Sequence, residues 1–328
     1  MLRPEHHLRS PMPPATTPAS LLCSISFPGS HRLCRLPHAA SPLSGKTSRS
    51  VRASVPAVAE ASRAPESEVA HREVARKLAH HAESRLGARL LPSAVPAEVA
   101  EFRNGAGNAV CSLDVRRGSP GSTIDFMLQS SLHCKVANGA IDITSLLIFL
   151  NASTDAPHFL MEFIQGNPTS MVVILDLLPR KDLALHPEYL EKYYENTQLD
   201  KQREKIEELP QARPYRSQSL FVRSAFSATA ILVSIDCGQG GESIMDEVVR
   251  GQLATAAKEL LQIWLDSCVD HTTKMEEGER ECMINRDQIV RSKSIEVDLT
   301  SNLPRMFDPD ISSRVIAEIR KAFEVQEA

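Results

Sequence analysis

The sequence predicts an α+β fold, an antiparallel β-sheet with helices packed on its faces. Three observations carry this. Strand-like runs gather between residues 109 and 178 with no helical pattern among them, so the regular crossover helices of a parallel sheet are missing. Two β-rich runs, 158–165 and 170–178, flank Gly166-Asn167-Pro168, a hairpin signal. Amphipathic helical patterns lie before and after this cluster, giving the order helix, strands, helices, strand, helices, strand, helix.

A helix is predicted over 66–91, where Ala70, Val74, Leu78, Ala82 and Leu86 recur at helical spacing and Pro92 and Pro96 close the run. Short strands are predicted over 109–115, 123–129 and 131–136, punctuated by Gly105, Gly107, Gly118, Pro120 and Gly121. Beyond the hairpin, 187–208 is charged and helical. Residues 229–236 form a strand with Ile231, Val233 and Ile235 on one face, and a Gly-rich loop, 236–243, follows. The clearest helix is 244–269, whose apolar stripe includes Met245, Val249, Leu253, Leu260 and Trp264. A charged helix over 276–291 and a strand over 294–299 come next. Pro309 and Asp310 then open a last helix with Val315, Ile316, Ile319 and Phe323 inward.

The first 59 residues differ in kind. They hold ten serines, nine prolines and seven Lys or Arg against the single acid Glu5. Such a stretch cannot bury enough apolar surface to offset its ordering entropy, and basic, Ser-rich, acid-poor composition marks an organelle transit peptide. Residues 1–53 are read as that leader, with cleavage near Val51–Ser54, residues 54–65 as a flexible linker and 66–328 as one domain. The leader carries +6, which leaves −10 for the rest of a chain whose net charge is −4. An acidic body argues against nucleic acid as a main partner. Five cysteines lie beyond the leader, far apart and without C-x-x-C spacing, the pattern of free thiols and not of a disulfide frame or zinc site. No run of eighteen apolar residues is present.

The common catalytic motifs are absent. Gly105-Ala106-Gly107 lacks the third glycine of a dinucleotide loop, Gly45-Lys46-Thr47 lacks the earlier glycine of a phosphate loop, and there is no G-x-S-x-G elbow. What stands out is acids inside apolar strands: Glu162 between Leu160 and Ile164, Asp176 within Met171–Leu178, and Asp298 beside Glu296 in the 294–299 run. A buried carboxyl can keep a proton and donate it, whereas a strand acid that faces water or pairs with a base is ordinary. Arg223 and Arg305 suit either a carboxylate clamp or surface ion pairs. His133-Cys134 suits a thiol or metal site, or two side chains on opposite faces of a strand. The residues by themselves leave these alternatives open.

From residue 124 onward the chain closely resembles the red chlorophyll catabolite reductases of land plants. The stretches that carry the resemblance are IDFMLQSSLHCK (124–135), ITSLLIFLNASTDAPHFLMEFIQ (143–165), VVILDLLPRKDLALHPEYLEKYY (172–194), SLFVRSAFS (219–227), AAKELLQIWLDSC (256–268), KSIEVDL (293–299) and PRMF (304–307). That family is grouped with the ferredoxin-dependent bilin reductases, so the resemblance implies an α/β/α sandwich with the tetrapyrrole between the sheet and the helices of one face. It implies reduction of red chlorophyll catabolite to a primary fluorescent catabolite, a CH–CH oxidoreduction with single electrons from reduced ferredoxin. No flavin, haem or metal is implied, and the protein supplies the protons. The family's two implicated carboxylates fall on Glu162 and Asp298, and a pocket position associated with product stereochemistry falls on Phe226. Arg223 and Arg305 are candidates for the substrate's acidic groups. The resemblance also implies a chloroplast location, a homodimer, and association with other chlorophyll-breakdown enzymes at the thylakoid; mitochondrial presence is left open.

Ferredoxin is acidic, so an acidic body needs a local basic patch to receive it. Arg180-Lys181, Arg291 with Lys293, and Arg320-Lys321 are the candidates. Two other roles compete with the reductase: a non-catalytic tetrapyrrole carrier, which would not need both acids, and a scaffold in a breakdown complex.

Overall fold

The computed structural model describes residues 69–136, 139–295 and 300–325. The predicted leader and linker, and residues 296–299 of the predicted C-terminal strand, lie outside them. Among the described residues there are eight strands, β1 (Glu101–Arg103), β2 (Ala109–Arg117), β3 (Ile124–Val136), β4 (Gly139–Leu150), β5 (His158–Asn167), β6 (Ser170–Leu178), β7 (Ala212–Pro214) and β8 (Ile231–Asp236). They form one sheet in the order β1-β2-β3-β4-β5-β6-β8-β7, and every neighbouring pair is antiparallel.

Alternation along the central strands divides the interior into two cores. Phe159, Met161 and Phe163 of β5 and Val173, Leu175 and Leu177 of β6 face the first core. Leu160, Ile164, Val172, Ile174 and Leu178 face the second. The first core is covered by α1 (Ala70–Leu86), α3 (Pro187–Leu190), α4 (Leu199–Glu207), α6 (Glu242–Val248) and α7 (Ala254–Ser267). The second is covered by α2 (Ala97–Ala100), α5 (Leu220–Ala225), α8 (Glu277–Ser294), α9 (Thr300–Met306) and α10 (Pro309–Phe323). Helices on both faces of an antiparallel sheet make the α/β/α sandwich that the resemblance implied.

Several elements differ from expectation, each for a local reason. The run 123–136 is one strand and not two. Its polar centre, Ser130-Ser131, continues the ladder to Ser145 and Thr144 of β4. The helix expected over 187–208 breaks at Asn196–Gln198, where the Thr197 hydroxyl donates to the Tyr194 carbonyl. The long helix holds a π-turn at Val249–Leu253, around Gly251, between α6 and α7. Ser294 and Ile295 do not open a strand. Ser294 ends α8, its hydroxyl bonded back to the Val290 carbonyl (2.8 Å), and Ile295 continues helically into the second core. Gly118 is required by close approach, since a Cβ there would lie 2.0 Å from the Ile124 carbonyl oxygen.

Helix α8 is pinned to the sheet by charge. Arg180 donates from Nε and Nη2 to the Asp287 carboxylate, at 3.0 and 2.6 Å to Oδ2. His158 closes the cluster. The Leu150 N–H donates to its Nδ1, so the proton sits on Nε2, which donates to Asp287 Oδ1 (3.1 Å). Burial lowers the His158 pKa to about 4, with Asp287 opposing. Asp287 is lowered to about 2, because His158 and Arg180 together outweigh its own desolvation. A turn later, Arg291 reaches Asp125 of β3 (2.6 Å). Two of the basic groups expected to form a docking patch are therefore internal: Arg180 is 2% exposed and Arg291 4%. Lys181 is spent on Asp155 and Glu279.

Candidate functional site

The second face of the sheet, beneath α5 and α8–α10, carries the polar groups. Glu162 is wholly buried at the middle of β5, where the Ser145 hydroxyl donates to its Oε1 (3.1 Å). Directly opposed residues on antiparallel strands share a face, so the register defines a row across the sheet: Ser130, Ser145, Glu162, Ile174, Leu232. Two hydroxyls lead to one carboxyl, and an apolar floor continues beyond it.

That floor belongs to a cavity of about 430 Å³. Ile174 and Leu232 form its base, Val222, Arg223 and Phe226 one wall, and Tyr215, Arg216 and Ser217 the mouth. The volume lies within the roughly 300–1,000 Å³ usual for small-molecule sites. The wall is built locally: the Ser219 hydroxyl caps α5 by accepting from the Val222 N–H, and Arg223 donates to the Ser217 carbonyl (2.8 Å), bracing the mouth. Arg286 of α8 donates to the Pro179 carbonyl (2.8 Å) and reaches the Ala225 carbonyl, tying α5 to the pinned helix.

A second carboxyl lies on this face. Asp176 opposes Leu160, which makes it the diagonal neighbour of Glu162, ~7–8 Å away by sheet geometry. It is 1% exposed and accepts from Ser227, from the backbone N–H (2.9 Å) and from the hydroxyl (2.5 Å). Burial raises its pKa to about 7, and hydrogen bonds from Ser227 and the Leu177 backbone only partly oppose this.

The structure thus brings three of the expected site residues to one region. Glu162 stands one cross-strand partner from the floor, and Arg223 and Phe226 line the cavity. Arg305 is exposed on α9 and does not line it. Asp298, with its neighbour Glu296, lies outside the described residues. His133 and Cys134 point to opposite faces: His133 contacts Asp142 (3.0 Å), while Cys134 is buried in the second core. Ser145, Ser227 and the Tyr215–Ser217 mouth were not anticipated. For Ser145 a signal existed, the hydroxyl pair Thr144-Ser145 set in an otherwise apolar run. The site face also has a local charge bias. Residues 209–235 contain no acid, and within them Arg213, Arg216 and Arg223 are exposed, the last two lining the cavity.

Comparison with known proteins bears on family and fold. A family model for red chlorophyll catabolite reductase (RCC reductase) matches residues 70–321. The chain is 76% identical to the rice protein "Red chlorophyll catabolite reductase 1, chloroplastic", over 98% of this chain and 99% of that one. It is 75% identical to the barley red chlorophyll catabolite reductase, over 62% of this chain and all of that sequence. It is 47% identical to the chloroplastic Arabidopsis protein of the same name, over 74% and 77% of the two chains. Among solved structures, tomato phytochromobilin synthase in complex with biliverdin superposes with a TM-score of 0.58 at 19% identity, over 77% of this chain and 85% of that one, a likeness of fold. The chain belongs to the red chlorophyll catabolite reductase family, and it is a reductase of chlorophyll catabolism.

Proposed function

We propose that this member of the family reduces red chlorophyll catabolite to the primary fluorescent chlorophyll catabolite in the chloroplast, taking electrons one at a time from reduced ferredoxin. The reduction consumes two electrons and two protons and saturates one double bond of the open-chain tetrapyrrole. No bound redox group is required; the pigment itself accepts each electron, and the protein's task is to hold it and deliver protons. The observation that carries this reading is the placement of Glu162, a buried acid on the same sheet face as the cavity and one cross-strand partner from its floor. Ile174, Leu232 and Phe226 offer apolar contact to the conjugated face of the pigment, and Arg223 offers a cation to its acidic substituents.

In this mechanism Glu162 donates a proton to the pigment radical, and Ser145, bonded to Oε1, fixes the carboxyl's orientation. Asp298 is the second acid on the family's pattern. With Arg180 and Arg291 buried, the acid-free segment around the cavity mouth is the better-placed surface for an acidic electron donor. Arg213, Arg216 and Arg223 give it positive charge in an acidic body. The relatives named chloroplastic support the location.

The test is anaerobic incubation of the purified protein with red chlorophyll catabolite, reduced ferredoxin and a regenerating system, with blue fluorescence as the readout. Product that depends on ferredoxin supports the reductase. A folded protein that binds the pigment and leaves it unreduced is a carrier, and the reading fails.

A further inference from the structure

The cavity wall is fastened to the sheet at both ends. At the start of the segment the Tyr215 N–H donates to the Leu232 carbonyl of β8 (2.8 Å). At its end Ser227 donates twice to Asp176 of β6. The first fastening is an ordinary backbone bond. The second uses a buried carboxyl whose pKa is raised by desolvation and only partly brought back by hydrogen bonds from Ser227 and the Leu177 backbone, with no cationic contribution among the causes. Burying a carboxyl costs free energy that its hydrogen bonds only offset, so its presence beneath the wall calls for an explanation.

Position supplies one. Asp176 follows Ile174, a floor residue, by one step of the strand alternation, and it is diagonal to Glu162. Ser227 follows Phe226 directly, and Phe226 is the wall's aromatic. Asp176 therefore joins the strand carrying the floor to the residue next to the ring above it. We propose that Asp176 is a positioning residue for the cavity: through Ser227 it sets where Phe226 stands over Ile174 and Leu232, and so which face of a bound planar pigment is turned toward Glu162. The proposal rests on reading the cavity as the pigment site. Protonating a flat carbon from one side creates a handed centre, so the placement of the wall becomes the handedness of the product. The clasp is compatible with either protonation state. An ionised Asp176 accepts both Ser227 donors; a neutral one accepts the N–H and donates its own proton to the hydroxyl, which can turn to Thr229 Oγ1 at 3.1 Å.

The experiment compares Asp176→Leu, Ser227→Ala and Asp176→Asn with the unmodified chain. The first readout is the induced circular dichroism of bound red chlorophyll catabolite, which reports the held geometry without turnover. The second is KM, kcat and the ratio of product epimers under ferredoxin-driven reduction. Thermal midpoints are recorded throughout. Ser227→Ala and Asp176→Leu are expected to weaken or invert the dichroism, to raise KM about tenfold, the scale of one lost hydrogen bond to a charged group, and to mix the epimers. Asp176→Asn is expected to restore most of what Asp176→Leu loses, since its amide can both accept from the Ser227 N–H and donate to the hydroxyl. Dichroism and epimer ratio unchanged in Ser227→Ala and Asp176→Leu, with only the thermal midpoint lowered, would overturn the proposal. So would Asp176→Asn behaving like Asp176→Leu, which would make the ionisable group itself the requirement. If the unmodified chain binds pigment but reduces none, the reductase reading fails while the dichroism still decides the role of Asp176. Failure to bind at all overturns both.

Discussion

Glu162 and Gln differ by one transferable proton and little else in shape. Glu162→Gln keeps an acceptor for the Ser145 hydroxyl and the packing of the β5 centre, so the protein is expected to bind pigment within about threefold of the parent. Its turnover is expected to fall by ~10²-fold or more, the usual scale for loss of a positioned acid. Pigment titration beside a fluorescence assay separates the two effects; equal turnover would remove Glu162 from the chemistry. Ser145→Ala, which frees the carboxyl's orientation while keeping its proton, is expected to cost about tenfold in turnover. At this scale the sequence was informative only where a residue broke its surroundings. Glu162 interrupts an apolar run and could be found by eye, and Asp176 drew notice for the same reason. Its partner Ser227 could not be found, because the two stand 51 positions apart and meet only through the β6–β8 pairing and the turn out of α5.

Among the elements, α8 decides whether the site face is closed. Removing Asp287 leaves Arg180 as a buried cation with its chief partner gone, so Asp287→Ala is expected to cost about 3–5 kcal/mol in a denaturant melt. A loss below ~1 kcal/mol would show that α8 is held by its apolar contacts alone. The same helix marks a limit of pattern reading. SIEVDL alternates as a strand does, yet its first residue, Ser294, ends α8 and Ile295 caps that helix in helical conformation, because a two-residue period that has only begun does not compete with a helix already propagating into it. Strand β4 escaped notice for the opposite reason. Thr144, Leu146 and Ile148 face the first side and Ile143, Leu147 and Phe149 the second, so a strand buried on both faces shows no alternation at all. The β5–β6 hairpin and the helix before Trp264 were legible because turn chemistry and a one-sided stripe are local signals. The six-residue α5 was not, since its boundaries depend on the Ser219 cap and on packing against residues distant in the chain.

For the whole molecule, burial of ionisable groups shapes the response to pH. His71, buried in α1 against Thr144, is lowered to about 4, as is His158; burial is the chief cause in both. The unfolded chain binds more protons than the folded one between pH 4 and 6.5, so this contribution is present above 6.5 and is lost as pH falls through that window. Asp287, lowered to about 2, adds a further loss below pH 3.8. Asp176 has the opposite sign: raised from 3.8 to about 7, it makes the folded state the better proton binder and lowers stability as pH rises between those values. At about 1.4 kcal/mol per pKa unit, two histidines outweigh one aspartate below pH 6.5. Stability is therefore expected to peak near pH 6.5 and to drop by on the order of 2–3 kcal/mol by pH 4.5, read from urea melts. Asp176→Asn should steepen the acid side and flatten the slope between pH 6.5 and 7; a flat profile for the parent would contradict this account. The charge asymmetry gives a kinetic counterpart. Reversing Arg213, which does not line the cavity, to Glu is expected to raise the KM for ferredoxin about threefold or more and to weaken its salt dependence, leaving pigment affinity within about twofold. Equal KM at low salt would move the docking surface elsewhere.

The strand order has a bearing on how the molecule comes into being. Six strands stand in space in the order in which they leave the ribosome, and β3 to β6 are joined by short connections. A nascent chain can add each strand to the one before it at a small loop-closure cost, so most of the sheet needs nothing that has not yet been synthesised. Three of the five helices over the site face come last: α8 must travel back to Asp125 and Arg180, and α10 must lay Phe323 on Phe126 and Phe149. A chain interrupted before residue 277 would therefore present an assembled sheet whose apolar second face is open to every other unfolded chain in its surroundings. The step most exposed to aggregation is thus the final one, the arrival of the C-terminal helices.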